Sequence, residues 1–333
     1  MTWRRVADDE AARTWDRDLE TLPHQSLVQS FGWGAYKATQ GWTTLRWATH
    51  DERGRSMAMV QALVRTYPWR TVVVWCPGGL VGPIKFWSRE LFAQIAATTR
   101  ARRLYCRAAF TRGRTEADIG YLRSLGWAPA RHAISAARTM VWDLPQTDDQ
   151  MLAGLTQNWR HNLHRAFKRH LRVVRWNDPS PDVLGRLFDT MAAYKDIDHY
   201  FRASELTELF RNLDSRIVMY ACEDASGIPL AVRACAVDTP YAWDLLAATS
   251  PEGRRCYASY AVFWALIRHC RDAGVTQYDL SGVDPVKARG VYDFKRGTGA
   301  REQACLGEWE WSTSMLLRRA VDLAIRYRAG AAR

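Results

Sequence analysis

One pattern in this chain of 333 residues occurs twice, and it constrains the fold more than any other feature of the sequence. A predicted β-hairpin with its turn at Gly54 is repeated with its turn at Gly227, 173 positions later. After each hairpin come a β-rich run, a helix and one more strand. The tyrosines near the centres of those two last strands, Tyr105 and Tyr278, are again 173 positions apart. So constant an offset predicts two copies of one α/β unit.

The composition agrees with two folded domains and indicates a negatively charged partner. A chain of 333 residues with 47% hydrophobic residues is long and apolar enough for two cores. Lys and Arg outnumber Asp and Glu by 47 to 35, which gives a formal net charge of +12 and a pI near 9.6. This excess predicts a polyanionic partner such as a nucleic acid, or an anionic membrane surface.

The cysteines and the hydropathy pattern argue against several classes of protein. The seven cysteines are scattered without a CxxC pair or a His-rich spacing, so neither a metal site nor a disulfide framework is expected. The amino terminus has no apolar signal segment, and no stretch reaches the ~18 apolar residues that a transmembrane helix needs. We therefore expect a cytoplasmic protein without stable membrane insertion.

The order of elements within each copy resembles that of GCN5-related N-acetyltransferase (GNAT) folds, in which antiparallel strands precede a helix and a further strand. The resemblance implies an α/β (α+β) protein with two tandem GNAT-like domains, each a mixed, largely antiparallel sheet flanked by helices. The strand 137–144 is expected to close the first domain, and Pro145–Asp149 is predicted as a linker. The predicted domains are 1–144 and 145–311, followed by a basic carboxyl-terminal helix, 312–333, that packs on the core.

Neither copy has the small residues with which GNAT enzymes bind the pyrophosphate of acetyl-CoA. Such enzymes bring successive backbone amides to the pyrophosphate at a helix amino terminus, and glycines allow the close approach. The corresponding positions here are Arg254–Ala258 in the second copy and Phe86–Ser88 in the first, and both are bulkier. No bound cofactor is therefore expected. A GNAT-type N-acyltransferase that uses acyl-CoA is the alternative enzyme.

The densest cluster of positive charge lies on a predicted helix over 156–171. Trp159, Leu163 and Phe167 recur every four residues and predict its buried stripe. No acidic residue interrupts the segment, so a polyanion that neutralises it, such as tRNA, is a reasonable partner. A solvated basic face is the alternative. The predicted tRNA contacts are Arg160 and Lys168 on one flank and Arg165, Arg169 and Arg172 on the other.

A second group of polar residues gathers where a predicted strand ends in a glycine-containing turn. The strand Tyr278–Ser281 is followed by Tyr292, Phe294, Lys295 and Arg296, so that the lysine is flanked by aromatic residues. Open sheets usually place their chemistry at such carboxyl ends of strands. We expect Lys295 to lie outside the core, because the segment around it is too polar to be buried. A basic surface loop is the alternative.

Three stretches resemble the FemABX family of aminoacyl-tRNA-dependent transferases, and together they span nearly the whole chain. Phe31–Lys37 is similar to that family's GW-x-x-x-K segment, and Gln157–Ala166 is similar to the entry helix of its second domain. Tyr278–Lys295 is similar to its YDLxG strand followed by Phe-Lys. The resemblance implies that Lys37 binds the diphosphate of a nucleotide-linked acceptor. It also implies that Lys295 acts in transfer and in handling the acceptor end of aminoacyl-tRNA.

The chain departs from that family in the second part of the acceptor site, so the acceptor is left open. The family uses an arginine shortly after a helix of the second domain, but the aligned position here is Tyr200, with Arg202 as the nearest substitute. The tyrosines that follow a tryptophan in the third strand are replaced by Asp244–Leu246. The acceptor is then either a peptidoglycan precursor peptide or a small amine of an antibiotic pathway. We predict substrate binding by Lys37, Trp33, Tyr200, Arg202, Tyr292 and Phe294, and tRNA binding by Arg296 together with the basic helix.

The expected reaction needs neither ATP nor a covalent nucleophile, because an aminoacyl ester is already activated. The enzyme must position the amine, stabilise an oxyanion and remove a proton. Lys295 suits the oxyanion, His199 is a candidate base because histidine titrates near neutral pH, and Asp279 is a further candidate. Structural or solvated roles are the alternatives for both. The sequence thus predicts transfer of an amino acid from aminoacyl-tRNA to an amine, and an RNA-binding module is the non-enzymatic rival.

Overall fold

Two compact units can be distinguished in the computed structural model, which describes residues 2–195 and 202–331. Unit 1 consists of Met1–Ala137 and Ala304–Arg333, and unit 2 consists of Arg138–Gln303. Both units contain a hairpin, a third strand, a crossover helix and a further strand in that order. The predicted α/β fold class with two similar units is therefore confirmed.

The first part of unit 1 begins with an amphipathic helix and continues with the first meander. That helix buries Ala11, Trp15 and Leu19, which recur every four residues along one face. The elements are the strands β1 (Arg4–Val6), β2 (Thr43–His50), β3 (Ser56–Tyr67), β4 (Thr71–Gly78), β5 (Arg103–Gly113) and β6 (Ala128–Pro129), and the helices α1 (Asp8–Glu20), α2 (Phe31–Thr39), α3 (Arg89–Thr99) and α4 (Glu116–Ser124).

The sheet of unit 1 is antiparallel from β1 to β4 and parallel between β4 and β5. The parallel pairing continues for eight residue pairs, from Thr71–Arg103 to Gly78–Phe110. Helices α3 and α4 cover the sheet with apolar side chains, among them Ile95 and the fully buried Leu122. In unit 1, β4 is therefore paired with β5 along its whole length over an apolar core.

Unit 2 repeats the meander, crossover helix and final strand after a helical entry segment. Its elements are the strands β7 (Arg138–Asp143), β8 (Arg172–Arg175), β9 (Ile217–Glu223), β10 (Pro229–Asp238), β11 (Tyr241–Thr249) and β12 (Gln277–Gly282), and the helices α5 (Asp148–Gly154), α6 (Gln157–Phe167), α7 (Pro181–Lys195), α8 (Ala203–Leu213), α9 (Pro251–Arg255), α10 (Ala258–Asp272) and α11 (Arg289–Arg296).

The sheet of unit 2 has the strand order β7-β12-β11-β10-β9-β8. Only β11 and β12 are parallel, and their pairing ends after three residue pairs, from Tyr241–Gln277 to Trp243–Asp279. The core on one face of this sheet contains Trp159 of α6, Phe263 of α10 and Tyr278 of β12. The parallel strands therefore separate toward their carboxyl ends.

The chain returns to unit 1 in β13 (Arg301–Ser312), which pairs antiparallel with β5, and ends with α12 (Met315–Ala331). Conversely β7, which was predicted to close the first domain, pairs with β12 of unit 2. The observed division of the chain thus differs from the predicted boundaries at 144, 145 and 311. The alternation of a strand tells which face is buried, but it does not tell which neighbouring strand it joins.

Helix α12 is the longest helix described, with 17 residues. It contacts the rest of unit 1 through Arg318, which donates to Glu310 at 2.6 Å, and through Asp322, whose carboxylate lies 2.7 Å from Nδ1 of His132. Among the described residues, every helix is too short or too polar to span a lipid bilayer.

Candidate active site

The candidate site lies where β11 and β12 separate. Beyond Trp243 and Asp279 the two strands are no longer paired with each other, although β11 runs on to Thr249 and β12 to Gly282. The opening occurs at the carboxyl ends of the strands, where open α/β sheets bind ligands. Polar side chains of unit 2 converge on this opening.

Lys295 is the central residue of the site, and its environment corrects the sequence-based expectation. It lies on the last turn of the short helix α11 and is only 6% exposed, although the segment around it was predicted to be too polar for a core. The prediction failed because α11 is strongly amphipathic. Asp293 and Arg296 face the solvent, while Lys295 points inward.

The Lys295 ammonium is held by the backbone at the end of β12. Its Nζ donates to the carbonyl oxygens of Gly282 at 3.0 Å and Ser281 at 3.3 Å. An ammonium has three N–H donors, so one remains for another group. Burial lowers the pKa of Lys295, and the charge of Arg233 acts in the same direction, while Asp244 opposes the change. Among the described residues, two carbonyl oxygens accept from this desolvated cation, which leaves its third donor for another group.

Ser281 fixes the carbonyl that receives this cation. Its φ of +63° is a left-handed conformation that non-glycine residues rarely adopt. Two hydrogen bonds hold this conformation. The backbone amide of Ser281 donates to Asp279 Oδ1 at 2.8 Å, and its side-chain hydroxyl donates to the carbonyl oxygen of Asp244 at 2.6 Å. Such strained residues persist where the surroundings determine them and are often part of functional sites.

Asp279 is the carboxylate nearest in sequence to this turn. It also accepts a short hydrogen bond from the hydroxyl of Thr139. Burial raises the pKa of Asp279, and the hydrogen bonds from Thr139 and Ser281 and the charge of Lys295 oppose this rise. A carboxyl with a raised pKa beside a lysine with a lowered pKa is a pattern typical of acid–base chemistry.

A buried ion pair that the sequence analysis missed lies beside Lys295. Arg233 and Asp244 form two hydrogen bonds of 2.7 and 2.8 Å, and their side chains are 7% and 9% exposed. Tyr278 adds a hydrogen bond from its hydroxyl to Asp244 at 3.1 Å. The sequence did contain a signal for this pair, because Arg233 lies in the middle of the apolar strand β10. A buried charge needs a partner of opposite charge, and the next strand of the hairpin, β11, is the nearest place to look for one.

The aromatic residues next to Lys295 connect it to helix α6. Phe294 packs against Trp159, Tyr260 and Phe263 with ring centroids 5.1–5.6 Å apart. The indole of Trp159 donates to the carbonyl oxygen of Phe294 at 3.1 Å. A Cβ on Gly297 would lie 2.6 Å from the Trp159 ring, so only glycine allows this approach. The basic helix is thereby fixed against α11.

The structure corrects two details of the predicted basic helix. Helix α6 ends at Phe167, whose side chain is exposed, and the buried stripe is completed instead by Ala166. Arg172 begins strand β8, where its guanidinium lies 3.6 Å from the carboxylate of Glu223, so it does not continue a helical flank. The predicted stripe assumed a helix to residue 171, but the chain leaves the helix one turn earlier.

Four of the predicted tRNA-binding cations remain exposed in or just after α6: Arg160, Arg165, Lys168 and Arg169. Arg165 is oriented by Tyr257, whose hydroxyl accepts a hydrogen bond of 2.6 Å from its guanidinium. Arg296 is also exposed, on α11. Unit 2 therefore presents a group of solvent-facing cations on the helix that contacts the segment of Lys295.

The predicted acceptor-binding residues are distributed over both units. In unit 1, Lys37 lies on α2, donates to Gln40 at 2.9 Å and lies 5.1 Å from the ring centroid of Trp33. In unit 2, Tyr292 donates its hydroxyl to Glu302, and Arg202 precedes α8 with its side chain exposed. The predicted base His199 and the predicted contact Tyr200 lie outside the described residues.

The segment before α10 differs from a pyrophosphate-binding loop. The amides of Arg254, Cys256 and Tyr257 already donate to carbonyl oxygens of the preceding helical turn, at 3.0–3.3 Å. The bulky Tyr257 occupies the N-cap position of α10. A diphosphate-binding loop needs free amides and small residues before the helix, and the bonded amides of Arg254, Cys256 and Tyr257 and the bulk of Tyr257 do not offer them there.

Comparisons with known proteins agree with this architecture. The crystal structure of FemX superimposes with a TM-score of 0.83 at 15% sequence identity, covering 97% of this chain and 100% of that chain. This chain has the fold of FemX. Two other structures match with a TM-score of 0.56 and 14% identity each. One is a tandem GNAT protein from the clavulanic acid biosynthesis pathway, with 94% of this chain and 98% of that chain covered. The other is the C-terminal domain of a putative lysylphosphatidylglycerol synthetase from Agrobacterium fabrum, with 96% of each chain covered.

A family model adds evidence at the level of sequence. Residues 155–296 match the acetyltransferase (GNAT) domain. That range contains α6, the Arg233–Asp244 ion pair and Lys295 of the candidate site in unit 2. No curated protein matches the chain in sequence. Together with the FemX fold, the family match supports an acyltransferase of the GNAT and FemX kind.

Proposed function

We propose that this protein transfers an amino acid from aminoacyl-tRNA to an amine and forms an amide bond. The observation that carries the proposal is Lys295, a buried ammonium at the opening between β11 and β12. Two of its donors bind the carbonyl oxygens of Ser281 and Gly282, and the third is left for a reacting group. Such a preorganised donor suits the oxyanion that develops in acyl transfer.

The proposed reaction is a direct displacement. The amine nitrogen attacks the ester carbonyl carbon, and the carbonyl oxygen becomes an oxyanion that accepts a hydrogen bond from Lys295. Asp279 takes the proton that the nitrogen loses. The tetrahedral intermediate then expels the ribose oxygen of tRNA, which leaves as a hydroxyl after receiving that proton. The products are the amide and deacylated tRNA, and no further reactant is needed.

Helix α6 supports tRNA as the donor. Its exposed cations lie on the helix whose Trp159 binds the backbone of Phe294, the neighbour of Lys295. A phosphate backbone held by these cations would therefore have its acceptor end close to the lysine. The internally bonded amides before α10 count against a CoA diphosphate.

The acceptor remains one of two chemical classes in this proposal. Lys37 would bind a phosphate group of a nucleotide-linked peptidoglycan precursor, in keeping with the likeness to FemX. A small amine is the other class, and the likeness to a tandem GNAT protein from the clavulanic acid biosynthesis pathway supports it. The match to the GNAT acetyltransferase domain favours acyl-CoA as a second candidate donor.

A product survey separates these outcomes. Purified protein is incubated with a fully charged tRNA pool and a panel of amines, including a nucleotide-linked muropeptide, and the products are identified by mass spectrometry. Parallel reactions contain deacylated tRNA or acetyl-CoA instead. An aminoacyl amide formed only with charged tRNA is expected. Acetyl transfer without tRNA would replace the proposal with the acyl-CoA alternative, and the absence of any transfer would refute both donors.

A further inference from the structure

Exposed large apolar side chains gather on two segments of unit 1. Trp69, at the tip between β3 and β4, is 81% exposed, and Leu316, at the start of α12, is 76% exposed. Half of the twelve exposed large apolar side chains among the described residues belong to these two segments. They are Tyr67, Trp69, Met315, Leu316, Leu323 and Tyr327.

Helix α12 presents its exposed apolar residues as one stripe. Leu316, Ala320, Leu323 and Tyr327 follow each other at intervals of four, three and four positions, so they share one face. The half-buried face toward unit 1 is formed by other residues, among them Leu317, Val321 and Ile325. The stripe is therefore additional to the core-facing side of the helix. Exposed arginines, Arg319 and Arg326, flank it.

The two segments lie at the same end of the unit 1 sheet. The amide of Arg102 donates to the carbonyl oxygen of Arg70 in the hairpin tip at 2.9 Å. Two residues further on, the amide of Leu104 donates to the hydroxyl of Thr313 at 3.0 Å, and the amide of Thr313, shortly before α12, donates to the carbonyl oxygen of Leu104 at 2.9 Å. The tip, the loop 100–103 and the start of α12 are thus connected through one continuous edge.

This edge is strongly basic. Arg70, Arg100, Arg102 and Arg103 are all exposed, and the only acidic residue between positions 53 and 115 is Glu90. The carboxylate of Glu90 accepts from the amide of Trp3, so it is engaged elsewhere in the unit. We name this surface the basic edge: the tip 67–70, the loop 100–103 and the exposed stripe of α12.

The backbone of the tip is built to present its tryptophan outward. Trp69 and Arg70 both have a φ of +56°, which bulky residues adopt rarely. The guanidinium of Arg70 donates to the carbonyl oxygen of Arg100 at 2.6 Å and so holds the turn against the neighbouring loop. The turn therefore holds the Trp69 side chain in the solvent, where it is 81% exposed.

We propose that the basic edge docks unit 1 on an anionic lipid bilayer. Tryptophan, tyrosine, leucine and methionine side chains would enter the headgroup region, and the arginines would contact anionic headgroups. Three of the six apolar side chains are aliphatic and cannot stack on bases, which disfavours RNA. In a symmetric pair of chains the arginines of one edge would face those of the other, which disfavours a second copy.

The test is flotation of the full chain with lipid vesicles. One set consists of phosphatidylcholine alone, and the other contains about 30% phosphatidylglycerol to provide an anionic surface. We expect binding to the anionic vesicles that weakens with added salt. The double variant Arg102→Gln/Arg103→Gln should bind about 25-fold more weakly, because each arginine near an anionic surface contributes about fivefold. Arg102→Lys/Arg103→Lys, which retains the charge, should bind like the wild type.

The apolar contribution is tested with Trp69→Ala/Leu316→Ala. Both side chains are exposed, so the variant should fold normally and lose at least about tenfold in vesicle binding. The matched control, Ile228→Ala/Val286→Ala, removes two exposed apolar side chains of unit 2 and should bind like the wild type. Equal binding of the wild type to neutral and anionic vesicles, or no binding to anionic vesicles, would overturn the proposal. So would a Trp69→Ala/Leu316→Ala variant that keeps its vesicle binding but loses tRNA binding or a dimer.

Discussion

The same pair of parallel strands is closed in unit 1 and open in unit 2. Strands β4 and β5 remain paired over eight residue pairs, whereas β11 and β12 separate after three. The 173-residue offset places α4 opposite α11 in the comparison, and Leu122 at the position of Lys295. Leu122 is fully buried in the apolar core of unit 1. Unit 1 therefore has a buried leucine at the position where unit 2 has a buried lysine.

The shared fold does not by itself create the site. Unit 1 keeps a closed ladder and an apolar core under β5, and its buried ion pair, Arg107 with Glu308, joins β5 to β13. Unit 2 combines an open ladder with buried charges at the opening, which would be costly without the hydrogen bonds that surround them. The chemistry is therefore expected in unit 2 alone.

The largest effect is expected from Lys295→Met, which keeps the length of the side chain and removes its charge. Turnover should fall about 10²–10³-fold, the range for losing one preorganised donor. Lys295→Arg should not restore it, because a planar guanidinium cannot replace a compact ammonium between two carbonyl oxygens. The assay is single-turnover transfer from charged tRNA, with folding checked by thermal unfolding. Leu122→Met is the matched control and should retain activity; equal losses in both variants would contradict the asymmetry.

The next effect concerns the pH dependence of transfer. Lys295 acts protonated, and burial lowers its pKa, so the rate should decline on the alkaline side from below the ~10.4 of an ordinary lysine. Asp279 acts ionised, and burial raises its pKa, so the rate should increase with pH through a value above the ~3.9 of an ordinary aspartate.

Asp279→Asn should remove this acid limb and lower the rate at neutral pH by about 10². Single-turnover rates, corrected for spontaneous ester hydrolysis, give the profile. The control is Cys106→Ala, at the corresponding position of unit 1, with an unchanged profile expected. An acid limb that persists in Asp279→Asn would assign the proton to another group.

A smaller effect is expected on tRNA binding. Helix α6 carries no acidic residue, whereas α1 of unit 1 begins with Asp8, Asp9 and Glu10. Replacing Arg160, Arg165 and Arg169 by Gln should weaken binding about tenfold and reduce the slope of log K against log salt by about 0.9 for each lost contact. The control, Arg13→Gln/Arg17→Gln on α1, should leave the slope unchanged. If the triple variant and the double variant have equal slopes, α6 does not belong to the tRNA-binding surface.

The smallest effect is one of local stability, without consequence for the fold. Residues Ala108–Phe110 of β5 are paired on both sides, with β4 and β13. Residues Leu280–Gly282 have no partner in β11 and a single registered pair, Gly282 with Thr139, in β7. Amide exchange followed by mass spectrometry should therefore be about tenfold or more faster in the second segment. Equal protection would mean that the opening is closed in solution.

Much of the fold was predictable because it depends on local patterns. The turn glycines, the alternating strands and the crossover helices follow from periodicity and turn chemistry, and the repeat strengthened each assignment. The strand 137–144 was also recognised as a strand. Its partner was not, because pairing with β12 depends on residues more than 130 positions away. The importance of Lys295 was inferred from a resemblance, and its burial was not foreseen.

The candidate site illustrates the same limit at the level of side chains. Arg233 and Asp244 were present in the sequence as one charge in an apolar strand and one substitution in a family pattern. Only the register of the β10–β11 hairpin brings them together, and only the fold brings that pair beside Lys295. Phe167 likewise satisfied the helical spacing but lies beyond the last buried turn of α6.

Local sequence patterns specify two copies of one α/β unit, the positions of most strands and helices, and a basic segment without acidic residues. These properties reside in the spacing of neighbouring residues, which acts over one or two turns of chain. The tertiary structure decided which copy opens its parallel strands, which unit receives β7 and β13, and that the lysine of α11 is buried. Those outcomes depend on competition between distant segments for the same edges and on burial of charge, and neither is encoded in local periodicity.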